Sequence, residues 1–234
     1  MKKLNKVLVV GASGGSGQKT VEALVKEGHQ VTALSRKASQ VFEDPVKTVD
    51  GSALDKETLR KAIKDQDTVI VILGISENHL RTRLLGPKYT PIDIRSHGTR
   101  LVIEVMKELG VKRLLVQTTY GSGPSRDKLK LVDRLLFDIL LKPQIDDTEI
   151  QDKIVRESGL DWTITQPVHL SDDEDFSKAA YSSDNNKIQE WQVSRKLVGE
   201  CNARFALDRS TVGKTLAISS TNQAADGLEV LQGY

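Results

Sequence analysis

The segment that most constrains this chain is Lys6-Val7-Leu8-Val9-Val10, which runs straight into Gly11-Ala12-Ser13-Gly14-Gly15-Ser16-Gly17 and then into a helix-patterned stretch from Gln18 to Lys26. An apolar β-forming run, a Gly-x-x-Gly-x-x-Gly turn and a helix start, in that order, are the parts that a dinucleotide pyrophosphate requires. Gly11 permits a tight turn off the strand, Gly14 lets the backbone approach phosphate oxygens without a Cβ in the way, and Gly17 lets helix and strand pack closely. The N–H groups at the helix start then face the anion. A Gly/Ser run alone reads as a linker, but a linker is not normally preceded by five mostly apolar β-formers.

The same rhythm continues along the chain. Short β-branched runs near 5–10, 30–35, 46–49, 68–73, 111–118 and 161–166 alternate with helical patterns near 16–27, 55–65, 92–109 and 146–158. Strands such as Val69-Ile70-Val71-Ile72-Leu73 are apolar on both faces, as a sheet covered by helices on both sides demands. The implied fold class is α/β: a single Rossmann-type domain with a doubly wound, mostly parallel sheet flanked by helices. It covers residues 1–220, with small substrate-side elements from about 168 to 220 and a polar tail over 221–234. Residues 194–207 read as a helix and Thr215 to Ile218 as a short strand. Two segments interrupt the pattern: 74–91, with Arg81, Arg83, Gly86-Pro87 and Tyr89, and the acidic, Ser/Asn-rich 171–187. Each follows the carboxyl end of a strand, so each reads either as the rim or lid of a site or as an ordinary solvated loop.

Charge and cysteine content narrow the partners. The 34 basic and 32 acidic residues are interspersed and leave a net charge of +2, which points to no nucleic acid and no membrane surface. The single cysteine, Cys201, excludes an internal disulfide, fits a cytoplasmic protein and reads as a packing residue. His29, His79, His97 and His169 are isolated from one another, so no metal site is expected. A small molecule is the expected partner, and a monomer or homodimer fits the composition.

The end of the second strand bears on the choice of nucleotide. NAD sites usually place a carboxylate there for the ribose 2′-OH, whereas this chain has Ser35-Arg36-Lys37. A guanidinium holds phosphate through two parallel hydrogen bonds, so Arg36, helped by Ser35 and Lys37, points to NADP (NADPH). The alternative is a solvated turn with basic residues.

Taken in order, Gly11 to Gly17, Ser35-Arg36, Val71-Ile72-Leu73-Gly74, Gln117-Thr118-Thr119, Glu157-Ser158-Gly159-Leu160-Asp161-Trp162-Thr163 and Pro167-Val168-His169-Leu170 carry a family resemblance. The chain resembles the atypical short-chain dehydrogenase/reductases, and within them the NAD(P)H-binding group of NmrA-like and flavin reductase-like (biliverdin reductase B) proteins. The resemblance implies that Ser13, Gly14, Gly15 and Ser16 hold the pyrophosphate and Arg36 the 2′-phosphate. Gly51-Ser52 stands where the family has a Gly-Asp pair against the adenine, and Leu73-Gly74 would flank ribose and pyrophosphate. Thr118, Lys153, Pro167 and Val168 would line the nicotinamide side. Thr119 falls at an active-site serine of the biliverdin-reducing members, and His169 matches a histidine beside their substrate pocket. The wider superfamily uses Tyr-x-x-x-Lys, but here Glu149 stands four residues before Lys153. Glu149 with Lys153, and Asp152 with Arg156, also read as ordinary helix-surface ion pairs. Tyr120 lies at the right strand end but at the wrong spacing.

Carbonyl reduction needs a positioned acid for the developing alkoxide, and the usual acid is missing. The leading expectation is therefore an NADPH-dependent reductase of a flat conjugated acceptor, of flavin, quinone or tetrapyrrole type, in an open cleft. Thr119, His169 and Lys153 are its candidate catalytic residues. The alternative is an NADP-sensing regulator that binds a protein partner without turnover. A nucleotide-sugar epimerase is weaker, because such enzymes generally keep Tyr-x-x-x-Lys.

Overall fold

Every second residue of β1 (Lys6–Val10) is committed to a different core. Val7 and Val9 face one buried cluster, and Leu8 and Val10 face another. The same alternation recurs in β4 (Thr68–Val71), where Ile70 opposes Val69 and Val71, and in β5 (Arg113–Gln117), where Leu115 opposes Leu114 and Val116. Strands apolar on both faces need helices on both faces. In this computed structural model, which describes residues 4–75, 90–128, 142–173, 175 and 177–222, the helices are divided in that way. Helices α1 (Gly15–Lys26) and α5 (Arg195–Leu207) cover one side of the sheet. Helices α2 (Lys56–Ile63), α3 (Ile94–Glu108) and α4 (Lys142–Arg156) cover the other.

The remaining strands are β2 (Gln30–Ser35), β3 (Lys47–Asp50), β6 (Asp161–Pro167), β7 (His169–Ser171), β8 (Ala179–Ser183), β9 (Gln192–Ser194) and β10 (Lys214–Thr221). Eight strands form one sheet in the order β3-β2-β1-β4-β5-β6-β10-β8, parallel throughout except where β8 runs against β10. The order reverses between β1 and β4, which pair in register from Val7 with Thr68 to Val10 with Val71. Their carboxyl ends open the crevice in which doubly wound sheets hold ligands. The domain is thus Rossmann-like, as the alternation of patterns implied.

The acidic stretch after β6 departs from the sequence reading. Part of 171–187 is not a solvated loop but β8, whose Ala179, Ala180, Ser182 and Ser183 are buried against β10. A small parallel ladder, β7 with β9, pairs His169 with Gln192 beside it. Ala and Ser carry little strand propensity of their own, so partner and burial, not composition, make this strand. Arg81, Arg83, Gly86, Pro87 and Tyr89 lie outside the described residues, as does most of the 221–234 tail. Among the described residues, no helix is long and apolar enough to cross a membrane.

Candidate functional site

The turn after β1 is built by the backbone. Gly11 takes φ +85°, a left-handed conformation that disfavours a side chain, and the N–H groups of Gly11 and Ala12 both donate to the Leu34 carbonyl at 2.9 and 3.2 Å. The chain then enters α1 at Gly14. No side chain caps this helix and no acidic residue occupies its first turn. Its N–H groups are therefore open to an anion. A Cβ built on Gly14 would meet no protein atom nearer than the Gly11 carbonyl at 3.4 Å, so the missing side chain leaves open space beside the helix start. The residues present fit a dinucleotide pyrophosphate.

This turn forms part of the wall of a cleft of about 570 Å³ along the carboxyl ends of the strands. Ser13, Gly14, Gly15 and Ser16 line its middle, with Gly11 beneath them. Leu34, Ser35, Arg36, Gly51 and Ser52 line one end, and Leu73, Gly74, Gln117, Thr118 and Thr119 the other. Fold topology therefore gathers most of the sequence candidates into one groove. Ser35 is buried, its hydroxyl accepts from the Lys37 N–H at 3.3 Å, and its carbonyl accepts from the Gly51 N–H at 3.0 Å, which ties the turns after β2 and β3 together. Arg36 is exposed, and its Nη2 donates to Thr90 Oγ1 at 3.3 Å.

Several candidates fall elsewhere. Lys153 is not at the nicotinamide end: its side chain is 74% exposed and its ammonium lies 4.0 Å from Glu157 on the outer face of α4. Glu149 pairs with Arg126 at 3.1 Å instead of with Lys153. His169 is exposed on β7, and its neighbour Leu170 reaches the cleft in its place. Pro167 and Val168 are buried at the end of β6, where Pro167 accepts from the Tyr120 N–H and Val168 donates to Ile218, so they support the cleft from behind. Gly17 is buried inside α1, where a Cβ would collide with the carbonyls of Gly11 and Ala12; its role is packing. Lys37 is exposed and is not among the lining residues. Tyr120 is buried edge-on to Trp191, and its hydroxyl donates to the Asn186 carbonyl at 2.9 Å.

Behind Thr118 stands a group that sequence reasoning treated as a surface charge. Asp152 of α4 is only 4% exposed, and its Oδ2 accepts from Gln166 Nε2 at 3.2 Å. Burial pushes its carboxyl up to about 6, against the opposing pull of Arg156, Thr118 and Gln166. Asp152 Oδ1 and the Thr118 hydroxyl are both buried, and neither makes a well-aligned hydrogen bond.

Two arginines were also missed. Arg195 opens α5 and lies against the glycine turn, so that a Cβ at Gly15 would stand 2.6 Å from its Cδ; its Nη1 donates to Asp172 Oδ1 at 2.7 Å. Arg95 lies in the first turn of α3, with Nη2 3.5 Å from the Cβ position of Gly74. Cations are unfavourable in the first turn of a helix, and that misplacement was the readable signal for both.

Comparison with known proteins agrees with this geometry. A family model described as NAD(P)H-binding matches residues 11–209. Pinoresinol reductase 2 from Arabidopsis thaliana is 28% identical over 132 residues, which are 52% of this chain and 38% of that protein, so the match spans well under half of its length. Among solved structures, the oxidoreductase ylbE from Lactococcus lactis superposes with a TM-score of 0.76 at 19% identity, over 98% of this chain and 97% of that one. ChuY, an anaerobillin reductase from Escherichia coli O157:H7, gives 0.70 at 20% identity, over 91% and 96%. With its glycine turn, its open helix start and this family match over most of its length, the chain belongs to the NAD(P)H-binding family of atypical short-chain dehydrogenase/reductases.

Proposed function

We propose that the protein is an NADPH-dependent oxidoreductase that reduces a flat, conjugated acceptor, of flavin, quinone or tetrapyrrole type, in an open cleft. The observation that carries this reading is the makeup of the cleft. One end offers Ser35 and Arg36, the middle an uncapped helix start, and the other end the uncharged polar groups of Gln117, Thr118 and Thr119. NADPH, when bound, supplies the hydride. Arg36 holds the 2′-phosphate that distinguishes NADPH from NADH, since the turn after β2 carries no carboxylate to repel it. The N–H groups of the first turn of α1 hold the pyrophosphate.

Among the described residues of the polar end, no phenol or imidazole stands ready as an acid. The Tyr120 hydroxyl is bound to Asn186, and His169 is exposed away from the lining. A simple ketone would leave an alkoxide that needs such an acid. A conjugated ring system spreads the incoming charge, so water can deliver the balancing proton and the work of the chain is positioning, with Thr119 as a hydrogen-bonding contact. Relatedness to a pinoresinol reductase supports the reductase class.

The test is the loss of NADPH absorbance, with NADH in parallel, when FMN, a small quinone or biliverdin is added to purified protein. Turnover above the enzyme-free rate with NADPH preferred is expected. Arg36→Ala should weaken NADPH binding by about 10- to 100-fold and leave NADH binding nearly unchanged, as the loss of a charge-assisted bond predicts. Equal losses for both nucleotides would refute the NADP assignment. Tight binding without turnover of any acceptor would refute the reductase and favour a nucleotide-sensing regulator.

A further inference from the structure

Among the described residues, Arg113 and Arg95 both carry a desolvation cost, and the fold treats them differently. Arg113 is fully used: its guanidinium donates to the carbonyls of Ala206 at 2.9 Å and Asp161 at 2.8 Å, to the Phe205 carbonyl, and to Thr211 Oγ1 at 2.9 Å. That is how a structural arginine is satisfied when it is taken out of water. Arg95 has nothing comparable. Its Nη1 is buried without a hydrogen-bond partner although the residue lines the cleft. The carboxylate that attracts it, Asp147, already accepts at both oxygens, from the Arg95 N–H at 3.0 Å and the Ser96 N–H at 3.2 Å at the start of α3. Burial lowers the pKa of the guanidinium and Asp147 only partly opposes this. A guanidinium whose buried Nη1 makes no hydrogen bond costs folding free energy, and such a cost is characteristic of groups kept for a ligand.

The charges lining the cleft show which ligand. Among the described lining residues, three are cationic, Arg36, Arg95 and Arg195, and none is acidic. In the reading above, Arg36 belongs to the 2′-phosphate. Arg195 lies on Gly15, beside the turn that would take the pyrophosphate. Arg95 reaches the same cleft from α3, over Gly74 at the end of β4. Arg36 and Arg195 thus offer one cation to each anionic group of the nucleotide, and Arg95 is a third.

We propose that Arg95 is a specificity-determining residue that binds a carboxylate or phosphate carried by the acceptor, so that the physiological acceptor is an anionic conjugated molecule. Its identity as an acceptor rests on the reductase reading; the anion site does not. A planar guanidinium with a free Nη1 edge suits such oxygens better than a lysine ammonium.

The experiment compares FMN with riboflavin, which share a ring system and differ by one phosphate. Each is titrated by fluorescence quenching into protein saturated with NADP⁺, so that the nucleotide phosphates are already in place. The parent protein should bind FMN at least about tenfold more tightly than riboflavin, the scale of one charge-assisted hydrogen bond. Arg95→Ala should remove that preference by weakening FMN alone, Arg95→Lys should keep part of it, and NADPH affinity should stay within about twofold in both. Because Asp147 keeps its two backbone N–H donors when the guanidinium is removed, Arg95→Met should fold and should lose the FMN preference as Arg95→Ala does. Equal affinities for the two flavins in the parent protein, absence of binding by both, or a loss of NADPH affinity in Arg95→Ala would each overturn the proposal, the last by assigning Arg95 to the nucleotide. Failure of the reductase reading looks different: FMN preference and its loss in Arg95→Ala persist, while neither flavin is reduced.

Discussion

Asp152 shows at the scale of one residue how the site departs from a surface helix. Its carboxyl is faced by Gln166 from β6, Thr118 just after β5, and Arg156 and Glu149 from its own helix, yet desolvation outweighs the attractive contacts. Arg156 is partly committed elsewhere, donating to Thr215 Oγ1 at 2.7 Å and lying over the Trp162 ring. The folded protein therefore holds a proton on Asp152 more tightly than the unfolded chain does. Stability consequently falls as pH rises from the ordinary value of 3.8 through about 6, and the full penalty persists above that. The shift corresponds to roughly 3 kcal/mol. Asp152→Asn can still accept from Gln166 through its amide oxygen, so it should be more stable than the parent near pH 8, with the two converging near pH 4. Denaturant midpoints across that range would show a parallel displacement if Asp152 does not titrate in this window. Turnover carries a second readout: Thr119→Ala should slow hydride transfer while leaving NADPH affinity nearly unchanged, whereas an unaltered rate would remove Thr119 from the site.

Among the elements, α5 links packing to nucleotide binding. It crosses α1 at Gly199, where a Cβ would stand 2.5 Å from the Lys19 carbonyl carbon, and its first residue is the Arg195 that lies on Gly15. Gly199→Ala should separate the two helices, destabilise the fold by about 1–3 kcal/mol and weaken NADPH binding as well, because the arginine moves with the helix. Stability lost with unchanged affinity would show that α5 does not shape the phosphate turn. Elements with strong local signals were legible in the sequence: β1, β4 and β5 are largely aliphatic, β2 and β6 carry β-branched residues, and the glycine turn announces α1. Strand β8 was not, since Ala179-Ala180-Tyr181-Ser182-Ser183 becomes a strand only by pairing with β10. The site divides along the same line. Residues fixed by backbone geometry, from Gly11 to Ser16, and residues at strand ends, such as Ser35, Gly74 and Thr119, could be placed from sequence. Lys153 and Asp152 are adjacent in sequence and face opposite ways, and helical period alone did not say which would be buried. Arg95 and Arg195 enter the cleft from helix starts, where the only sequence signal was a cation misplaced in the first turn.

For the whole molecule, a net charge of +2 understates the local field. Many surface charges are balanced in pairs, such as Lys56 with Glu104 at 2.7 Å, Arg60 with Glu108 at 3.0 Å and Lys178 with Glu190 at 3.4 Å. The described cleft lining instead carries three arginines and no carboxylate, with Asp172 bound to Arg195 at the rim. A concave surface lined by one sign of charge concentrates counter-ions and raises the rate of encounter with an oppositely charged ligand. Salt screens that field, with a Debye length of about 30 Å at 0.01 M falling to about 3 Å at 1 M. Stopped-flow measurement should therefore find that the association rate of NADPH drops steeply with ionic strength. NADH, which lacks the 2′-phosphate, should follow a shallower slope, and uncharged riboflavin should be almost insensitive. Dissociation rates should change less, because once the ligand is seated its phosphates are held by short-range bonds at distances salt does not screen. Identical slopes for the two nucleotides would mean that Arg36 contributes nothing to the field. A flat response for both would mean that the cleft arginines are neutralised by ions or by residues beyond those that line it, and the placement of Arg95 as an anion site would lose its electrostatic basis.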